Sequence, residues 1–234
     1  MSVDALTAVR RSLGEQLAEL RGIAVDELPP ALLNVFVRRI ALPGGDVFLL
    51  QPRDWEQLRH EEGAAARPVP YWACLWPSGR ELAAALADDP PAPGTRVVEI
   101  GAGLGLPSIV AARAGARVLT TDGHTDAVAF AAHSLALNEV EAEVAHVDWS
   151  EHGEALAARG PWDLVLAADV LYTLRNVRAA LDLLPRLVAP GGEIRLADPD
   201  RAGARELLAA ARATFELTSR RDGDVALHRL VPRG

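Results

Sequence analysis

Hydrophobic and polar positions recur along this chain with two different periods, and each period predicts its own kind of secondary structure. Apolar residues at helical spacing over residues 4–21 predict an amphipathic helix. Two apolar runs, at 35–42 and 47–50, flank the turn residues 43–46 and predict a β-hairpin. Further helices are predicted at 54–60, at 78–87 with Ser78 as the N-cap, from the glycine turn to 114, and at 126–138, 177–187 and 201–213. The other predicted strands are 96–100, 117–122, 141–148, 163–169, 193–198, 215–220 and 225–231.

The regular alternation after residue 96 predicts the fold class, which is α/β. Strands that alternate with helices form parallel βαβ units with right-handed crossovers. Five such strands followed by an antiparallel pair predict a Rossmann-like seven-stranded sheet. We therefore divide the chain into an N-terminal extension, residues 1–70, and a ligand-binding domain, residues 71–234. The extension holds a helix, the β-hairpin and, at 61–70, a linker that we expect to be mobile and a candidate lid.

Composition and charge narrow the function classes. Half of the 234 residues are hydrophobic, which is enough for a sizeable core, and the net charge of −8 argues against a nucleic-acid partner. All 24 basic residues are Arg, so catalysis cannot use a Lys. Cys74 is the only cysteine, and no His or Cys cluster suggests a metal site. Since no long apolar run is present, we expect a cytoplasmic protein that has no membrane partner.

The segment Gly101-Ala-Gly-Leu-Gly105 follows a predicted strand and opens a helix. Glycines let the backbone turn sharply and let a ligand approach it closely, although a packing turn without a ligand is the alternative. Leu106 breaks the G-x-G-x-x-G spacing of a dinucleotide site. Glu99 would repel a pyrophosphate but suits a cationic ligand. S-adenosylmethionine (SAM) carries an ammonium and a sulfonium group, so both features favour SAM over NAD.

Two acidic residues follow the next two strands. Asp122 can accept hydrogen bonds from both ribose hydroxyls of a nucleoside, and its alternative role is to cap the following helix. Asp148 can accept from an adenine amino group, while Trp149 can stack on the adenine ring. A loop-capping Asp beside a core Trp is the alternative there.

Four segments together resemble class I SAM-dependent methyltransferases: VVEIGAGLGLPSIVAA, TTDGH, VDW and WDLVLAADVLY. More narrowly, ADVLY at 168–172 resembles the D-x-x-Y signature of the protein-lysine methyltransferase group called family 16. The stretch YWACLWPSGRELA at 71–83 resembles the W-P-x-G segment of that group, notably of its members that act on electron-transfer flavoprotein β. The resemblance covers residues 33–231, and we expect the strand order 3-2-1-4-5-7-6.

The resemblance implies a role for each matching residue. Glu99, Gly101, Gly103 and Gly105 would line the methionine end of SAM. Asp122 would hold the ribose, and Asp148 with Trp149 would hold the adenine. Trp76, or Ser78 with Gly79, would approach the cofactor from the N-terminal side. Asp169 and Tyr172 would face the methyl acceptor.

The expected function is therefore SAM-dependent transfer of a methyl group to an amine, with a protein lysine side chain as the leading acceptor and a small amine as the other. Three alternatives stay open: a small-molecule N- or O-methyltransferase, an NAD-dependent oxidoreductase, and an inactive SAM-binding protein. The motifs do not identify the acceptor, and they predict no oligomeric state.

Overall fold

A seven-stranded mixed sheet lies at the centre of residues 3–233, the part of the chain that this computed structural model describes. Residues 1, 2 and 234, which belong to the two predicted domains, lie outside the described residues. The helices are α1 (Val3–Arg21), α2 (Pro30–Leu33), α3 (Trp55–Ala64), α4 (Pro77–Asp88), α5 (Leu106–Arg113), α6 (Thr125–Leu137), α7 (Trp149–Arg159), α8 (Leu174–Leu187) and α9 (Ala202–Ala211). The strands are β1 (Val35–Leu42), β2 (Gly45–Pro52), β3 (Arg96–Ile100), β4 (Arg117–Asp122), β5 (Glu143–His146), β6 (Trp162–Ala168), β7 (Val188–Asp198), β8 (Phe215–Asp222) and β9 (Val225–Pro232). Single 3₁₀ turns occupy Val25–Glu27 and Tyr71–Ala73.

The order of strands in the large sheet is β5-β4-β3-β6-β7-β9-β8. Counted within this sheet, that order is 3-2-1-4-5-7-6, so the prediction is confirmed. Strands β3 to β7 run parallel, whereas β9 is antiparallel to both β7 and β8. The chain builds outward from β3 to β5 and then returns to the other side of β3. This reversal leaves a crevice at the carboxyl ends of β3 and β6, the place where open α/β sheets bind their ligands.

Several predicted boundaries are wrong, each for a local reason. Helix α3 continues to Ala64, so the first part of the predicted linker is helical, and Glu62 within it is buried. Helix α4 begins directly after Trp76, and the fixed φ of Pro77 suits the first helical position. Ser78 therefore lies inside the helix, fully buried, and is not the N-cap.

Helix α7 has no counterpart among the predicted elements. Its sequence carries a glycine, and the backbone at His152 leaves the helical region, so the apolar period is interrupted. Asp148 starts the helix by accepting a hydrogen bond from the backbone N–H of Ser150 at 3.0 Å. Strand β5 is correspondingly shorter than predicted, because the chain leaves it for this helix cap.

The N-terminal extension shares one hydrophobic core with the helices beside the sheet. Leu17 of α1, Leu49 of β2 and Phe130 of α6 belong to a single cluster of buried side chains. The hairpin is also joined to α6 by hydrogen bonds, since the backbone N–H of Leu50 donates to Ser134 Oγ at 3.1 Å. The extension is therefore packed against α6, while the division at residue 70 stays a prediction.

A buried ion cluster joins the extension to the start of α6. Arg21 donates from Nε to Asp126 Oδ1 at 2.9 Å and from a terminal nitrogen to Glu62 at 2.8 Å. The three side chains are only 1–2% exposed. Charges this deep are stable only when they are paired and hydrogen-bonded, so the cluster fixes α1, α3 and α6 relative to one another.

Within residues 3–233, no helix combines the length and the apolarity needed to cross a bilayer. Over the same range, no group of three or more His, Cys, Asp or Glu side chains is arranged to hold a metal ion.

Candidate functional site

A cavity of about 630 Å³ opens at the carboxyl ends of β3, β4 and β6. This volume lies within the range of about 300–1,000 Å³ that is common for small-molecule sites. Ten of the twelve predicted site residues line it: Trp76, Gly79, Glu99, Gly101, Gly103, Asp122, Asp148, Trp149, Asp169 and Tyr172. The other two, Ser78 and Gly105, are not among the lining residues.

The glycine loop between β3 and α5 has a backbone that only glycine adopts easily. Gly101, Gly103 and Gly105 have φ values of +65°, +55° and +79°. A Cβ at Gly101 would lie 2.8 Å from Val170, and one at Gly103 would lie 3.2 Å from the carbonyl oxygen of Trp72. Gly105 instead precedes α5 and packs against α6. The loop thus brings bare backbone to the cavity at its first two glycines.

Glu99 lies near the end of β3 with its side chain almost fully buried. It accepts hydrogen bonds from the backbone N–H of Ser108 at 2.9 Å and from the Ser108 hydroxyl. Burial raises the pKa of Glu99 to about 8, even though both hydrogen bonds act in the opposite direction. A cationic group bound nearby would favour the ionised carboxylate. Ser108 was not predicted as a partner of Glu99, because no local sequence pattern indicates which side chain hydrogen-bonds to a buried acid.

Asp122 ties the end of β4 to the glycine loop. Its carboxylate accepts hydrogen bonds from the backbone N–H of Gly103 at 2.8 Å and of His124 at 2.9 Å. Burial raises the pKa of Asp122, and these two hydrogen bonds oppose the rise. The alternative that Asp122 caps the next helix is wrong, because the His124 imidazole caps α6 by accepting from the backbone N–H of Asp126.

Asp148 and Trp149 meet at the start of α7. The capping role left open for Asp148 is present, and its carboxylate also pairs with Arg175 at 3.2 Å. Trp149 is 6% exposed and belongs to a second cluster of buried side chains, separate from the one that contains the extension. Its Nε1 would lie 3.8 Å from a Cβ added at Gly101. Both residues line the cavity, and their contact with an adenine stays a prediction.

Asp169 directly follows β6 and has the left-handed φ of +63°. Its backbone N–H donates to the carbonyl of Ala197 at 2.9 Å, and its carboxylate pairs with Arg201. Arg201 also reaches Asp198, a fully buried acid whose pKa is raised by that burial. Sequence reasoning missed Arg201, although its position just after β7, beside β6 in the sheet, is the signal that could have found it.

Three exposed aromatic side chains, Tyr71, Trp76 and Tyr172, stand at the mouth of the cavity, and we call them the aromatic rim. The ring centroids of Tyr71 and Trp76 are 6.3 Å apart, and those of Tyr71 and Tyr172 are 5.8 Å apart. The side chains are 47%, 38% and 53% exposed, respectively. Tyr71 was not predicted, even though the aromatic density of 71–76 stands out in the sequence. The rim joins the segment before α4 to the loop after β6.

Trp72 has the opposite environment, since it is buried beneath the glycine loop. Its ring packs on Phe130 at 4.9 Å and on His124 at 5.5 Å between centroids. Trp72 therefore packs the segment before α4 against α6.

The charges on the cavity wall fit SAM better than a dinucleotide. Three lining residues, Asp122, Asp148 and Asp169, carry a carboxylate, against two guanidinium groups, Arg175 and Arg201. The carboxyl group of Glu99, with its raised pKa, adds a fourth negative charge only when it ionises. A pyrophosphate would meet net negative charge, whereas a ligand with an ammonium and a sulfonium would be attracted. The bare backbone at the glycine loop lets a nucleoside approach closely, and the half-buried carboxylate of Asp122 can accept hydrogen bonds from its hydroxyls.

Comparisons with known proteins agree on the class. A family model described as lysine methyltransferase matches residues 74–206. Histone-arginine methyltransferase METTL23 of Mus musculus is 30% identical over 149 residues, which are 62% of this chain and 55% of that protein. Protein N-lysine methyltransferase METTL21A of Danio rerio is 36% identical over 99 residues, which are 40% of this chain and 44% of that protein. The chain thus spans about half the length of the curated relatives it matches.

Among solved structures, the fold is similar to that of the 16S rRNA N2 G1207 methyltransferase RsmC of T. thermophilus, solved in complex with AdoMet and guanosine. The TM-score is 0.65 at 17% identity, and the match covers 85% of this chain and 51% of that one. The family model covers more than half of the chain, and the matched range contains the glycine loop, Asp122, Asp148 and the segment from Asp169 to Tyr172. This chain therefore belongs to the lysine methyltransferase family.

Proposed function

We propose that this protein is a SAM-dependent N-methyltransferase and that its acceptor is the lysine side chain of another protein. One observation carries the proposal. A single cavity joins the glycine loop and Asp122 at one end to Asp169 and Tyr172 at its open end. A transferase needs this arrangement, because donor and acceptor must meet in one enclosed space. The lysine-directed members of the family support the choice of acceptor.

Different residues of this chain bind different parts of the methyl donor. In our proposal, Glu99, Gly101 and Gly103 hold the methionine end, Asp122 accepts from the ribose hydroxyls, and Asp148 with Trp149 holds the adenine. When bound, SAM supplies a methyl carbon that its sulfonium has already activated. The protein therefore needs no covalent nucleophile, and alignment of the reactants can supply most of the rate, with effective molarities up to ~10⁵–10⁸ M in favourable cases.

Asp169 is the residue that we assign to the acceptor. Arg201 pairs with one carboxylate oxygen and leaves the other oxygen to accept a hydrogen bond from the amine. Because only the neutral amine attacks, the acceptor loses its first proton before or during docking. Asp169 then orients the nitrogen and takes the proton that transfer releases. Tyr172 packs beside the acceptor. Although its side chain is half exposed, partial desolvation of its hydroxyl raises its pKa, and the charges of Asp122 and Asp148 add to the rise. Its phenol therefore stays protonated near neutral pH.

The test is methyl transfer from isotope-labelled SAM to proteins of the host lysate, followed by mass spectrometry of the labelled peptides. We expect label on lysine side chains with the wild-type enzyme and none with Asp169→Asn. Label confined to the low-mass fraction would support the small-molecule alternative. A protein that binds SAM but labels nothing would be the inactive binding protein. Cell fractionation tests the accompanying prediction of a cytoplasmic location.

A further inference from the structure

The aromatic rim has more exposed aromatic surface than packing explains. Tyr71, Trp76 and Tyr172 contact one another, yet each leaves between about two fifths and half of its side chain in solvent. Exposed apolar surface gathered in one place is unfavourable in water and commonly marks a binding site. All three rings also line the cavity that contains Asp169.

Hydrogen bonds fix the backbone beneath the rim. The indole N–H of Trp76 donates to the carbonyl oxygen of Tyr71 at 2.7 Å, and the indole of Trp55 donates to Pro70 at 3.0 Å. On the opposite side, the side-chain amide of Asn176 donates to Val170 at 2.8 Å, which holds the loop that carries Tyr172. The two segments that carry the rings are thus held by hydrogen bonds. A ligand that binds the rings therefore costs the protein little conformational entropy.

The charges around the rim favour a cation. Arg175, which lines the cavity, pairs with Asp148 at 3.2 Å and with Glu151 at 2.7 Å. Arg201 pairs with Asp169 and Asp198. Among the described residues that line the cavity, both guanidinium groups are therefore neutralised by carboxylates. An incoming ammonium meets aromatic faces and net negative charge.

From this geometry we propose that Tyr71, Trp76 and Tyr172 form a binding site for an alkylammonium group, and that the site binds a methylated ammonium more tightly than an unmethylated one. Aromatic faces attract cations through the ring quadrupole, and they suit methylated ammonium groups because these are weakly hydrated. The proposal rests on the proposed function in one respect, since it names the acceptor amine as the source of the ammonium. A methylated acceptor would then stay at the mouth of the cavity, where further transfer can follow.

Binding can be measured without turnover. The probe is Nα-acetyl-Nε-trimethyl-lysine amide, a quaternary ammonium that cannot accept another methyl group. Its matched control is the neutral isostere in which carbon replaces the quaternary nitrogen. Both are titrated into the wild-type protein, with and without SAM, while the Trp76 indole N–H is followed by NMR. We expect the cation to bind at least about fivefold more tightly than the isostere.

Variants then assign the effect to the rim. Tyr71→Leu keeps apolar bulk but removes the ring, and we expect the preference for the cation to fall below about twofold. Tyr71→Phe keeps the ring and should retain the preference. Phe48→Leu removes an aromatic side chain of similar exposure on the hairpin, outside the cavity lining, and should also retain it.

Three outcomes would overturn the proposal: equal binding of the cation and the isostere by the wild-type protein, retention of the preference in Tyr71→Leu, or a loss of SAM affinity in Tyr71→Leu that accounts for the whole effect. The last outcome would assign the ring to the cofactor. The wild-type comparison needs no variant to fold and no methyl transfer. Failure of the proposed function would instead appear as absence of labelled lysine, whatever the rim binds.

Discussion

The two ends of the cavity are built in different ways. At the end beside β3 and β4, the cavity is walled by loop backbone and two hydrogen-bonded carboxyl groups: Gly103 donates to Asp122, and Ser108 donates to Glu99. At the end beside β6, the cavity is walled by exposed aromatic rings and by the Asp169–Arg201 pair. At the first end Glu99 is almost fully buried, whereas the three rings at the second end are 38–53% exposed.

This difference indicates which end of the cavity tolerates changes in sequence. Backbone in the left-handed region and buried acids tolerate few substitutions, because each replacement strains the chain or leaves a polar group unpaired. Exposed rings can be exchanged at small cost in stability. A common donor end combined with a variable acceptor end would let one family serve many acceptors.

Among the substitutions considered, the largest effect should follow from removing Arg21 from the buried ion cluster beside the donor end, and the quantity affected is stability. Arg21→Ala leaves Glu62 and Asp126 buried without their shared cation, and we expect a loss of about 3–5 kcal/mol in the free energy of unfolding. Arg59→Ala is the matched control, since Arg59 pairs with Glu56 at the surface and should contribute about 0–1 kcal/mol. Urea denaturation measures both. Equal effects would show that the cluster does not hold the extension in place.

The acceptor end is tested by Asp169→Asn. Asn adopts the left-handed backbone of this position, so the change removes the charge without added strain. We expect the turnover number to fall by about 100-fold or more while the Kd for SAM stays within about twofold. Asp182→Asn on the exposed face of α8 is the control. A variant with wild-type turnover would remove Asp169 from the mechanism.

The donor end is tested by Asp122→Ala. Loss of a charged hydrogen-bond acceptor should weaken SAM binding by about 10- to 100-fold, since such bonds contribute about 1.5–3 kcal/mol. Turnover at saturating SAM should change far less. Isothermal titration calorimetry gives the affinity, and thermal unfolding without SAM reports any damage to the glycine loop. Wild-type affinity in a folded variant would contradict the ribose assignment.

The smallest expected effect is a pH dependence of SAM affinity that arises from the protonation of Glu99. Its pKa of about 8 means that the carboxyl group is mostly neutral at pH 7 before the cofactor binds. A cationic ligand favours the ionised form, so binding releases a proton, and the affinity for SAM should rise as pH rises through 8. Between pH 7 and 8.5 the increase should be up to about eightfold.

Glu99→Gln supplies the control for that pH dependence, because it removes the titrating group while keeping an oxygen for Ser108. The difference between the two pH profiles isolates Glu99 from the titration of the SAM amino group. Identical profiles would show that Glu99 does not sense the ligand.

Short segments of sequence were enough to predict the fold and the residues that line the cavity beside β3 and β4. Hydrophobic periodicity gave strands β3 and β4 with their exact bounds, since each is a buried apolar run closed by a turn. Gly101 and Asp122 were found because a strand, a turn and a helix follow one another within a few residues. The chemistry of that end is encoded locally, and local patterns can predict it.

The tertiary structure decided the rest. Arg21 and Asp126 are 105 residues apart in the chain, Asp169 and Arg201 are 32 apart, and Tyr71 meets Tyr172 across about 100 positions. No local period specifies such pairs, because each depends on which strands and helices become neighbours. The sequence by itself determined where a glycine loop and its acids stand at the ends of strands. Only the packing of distant segments determined which partners neutralise those acids and which rings surround the mouth of the cavity.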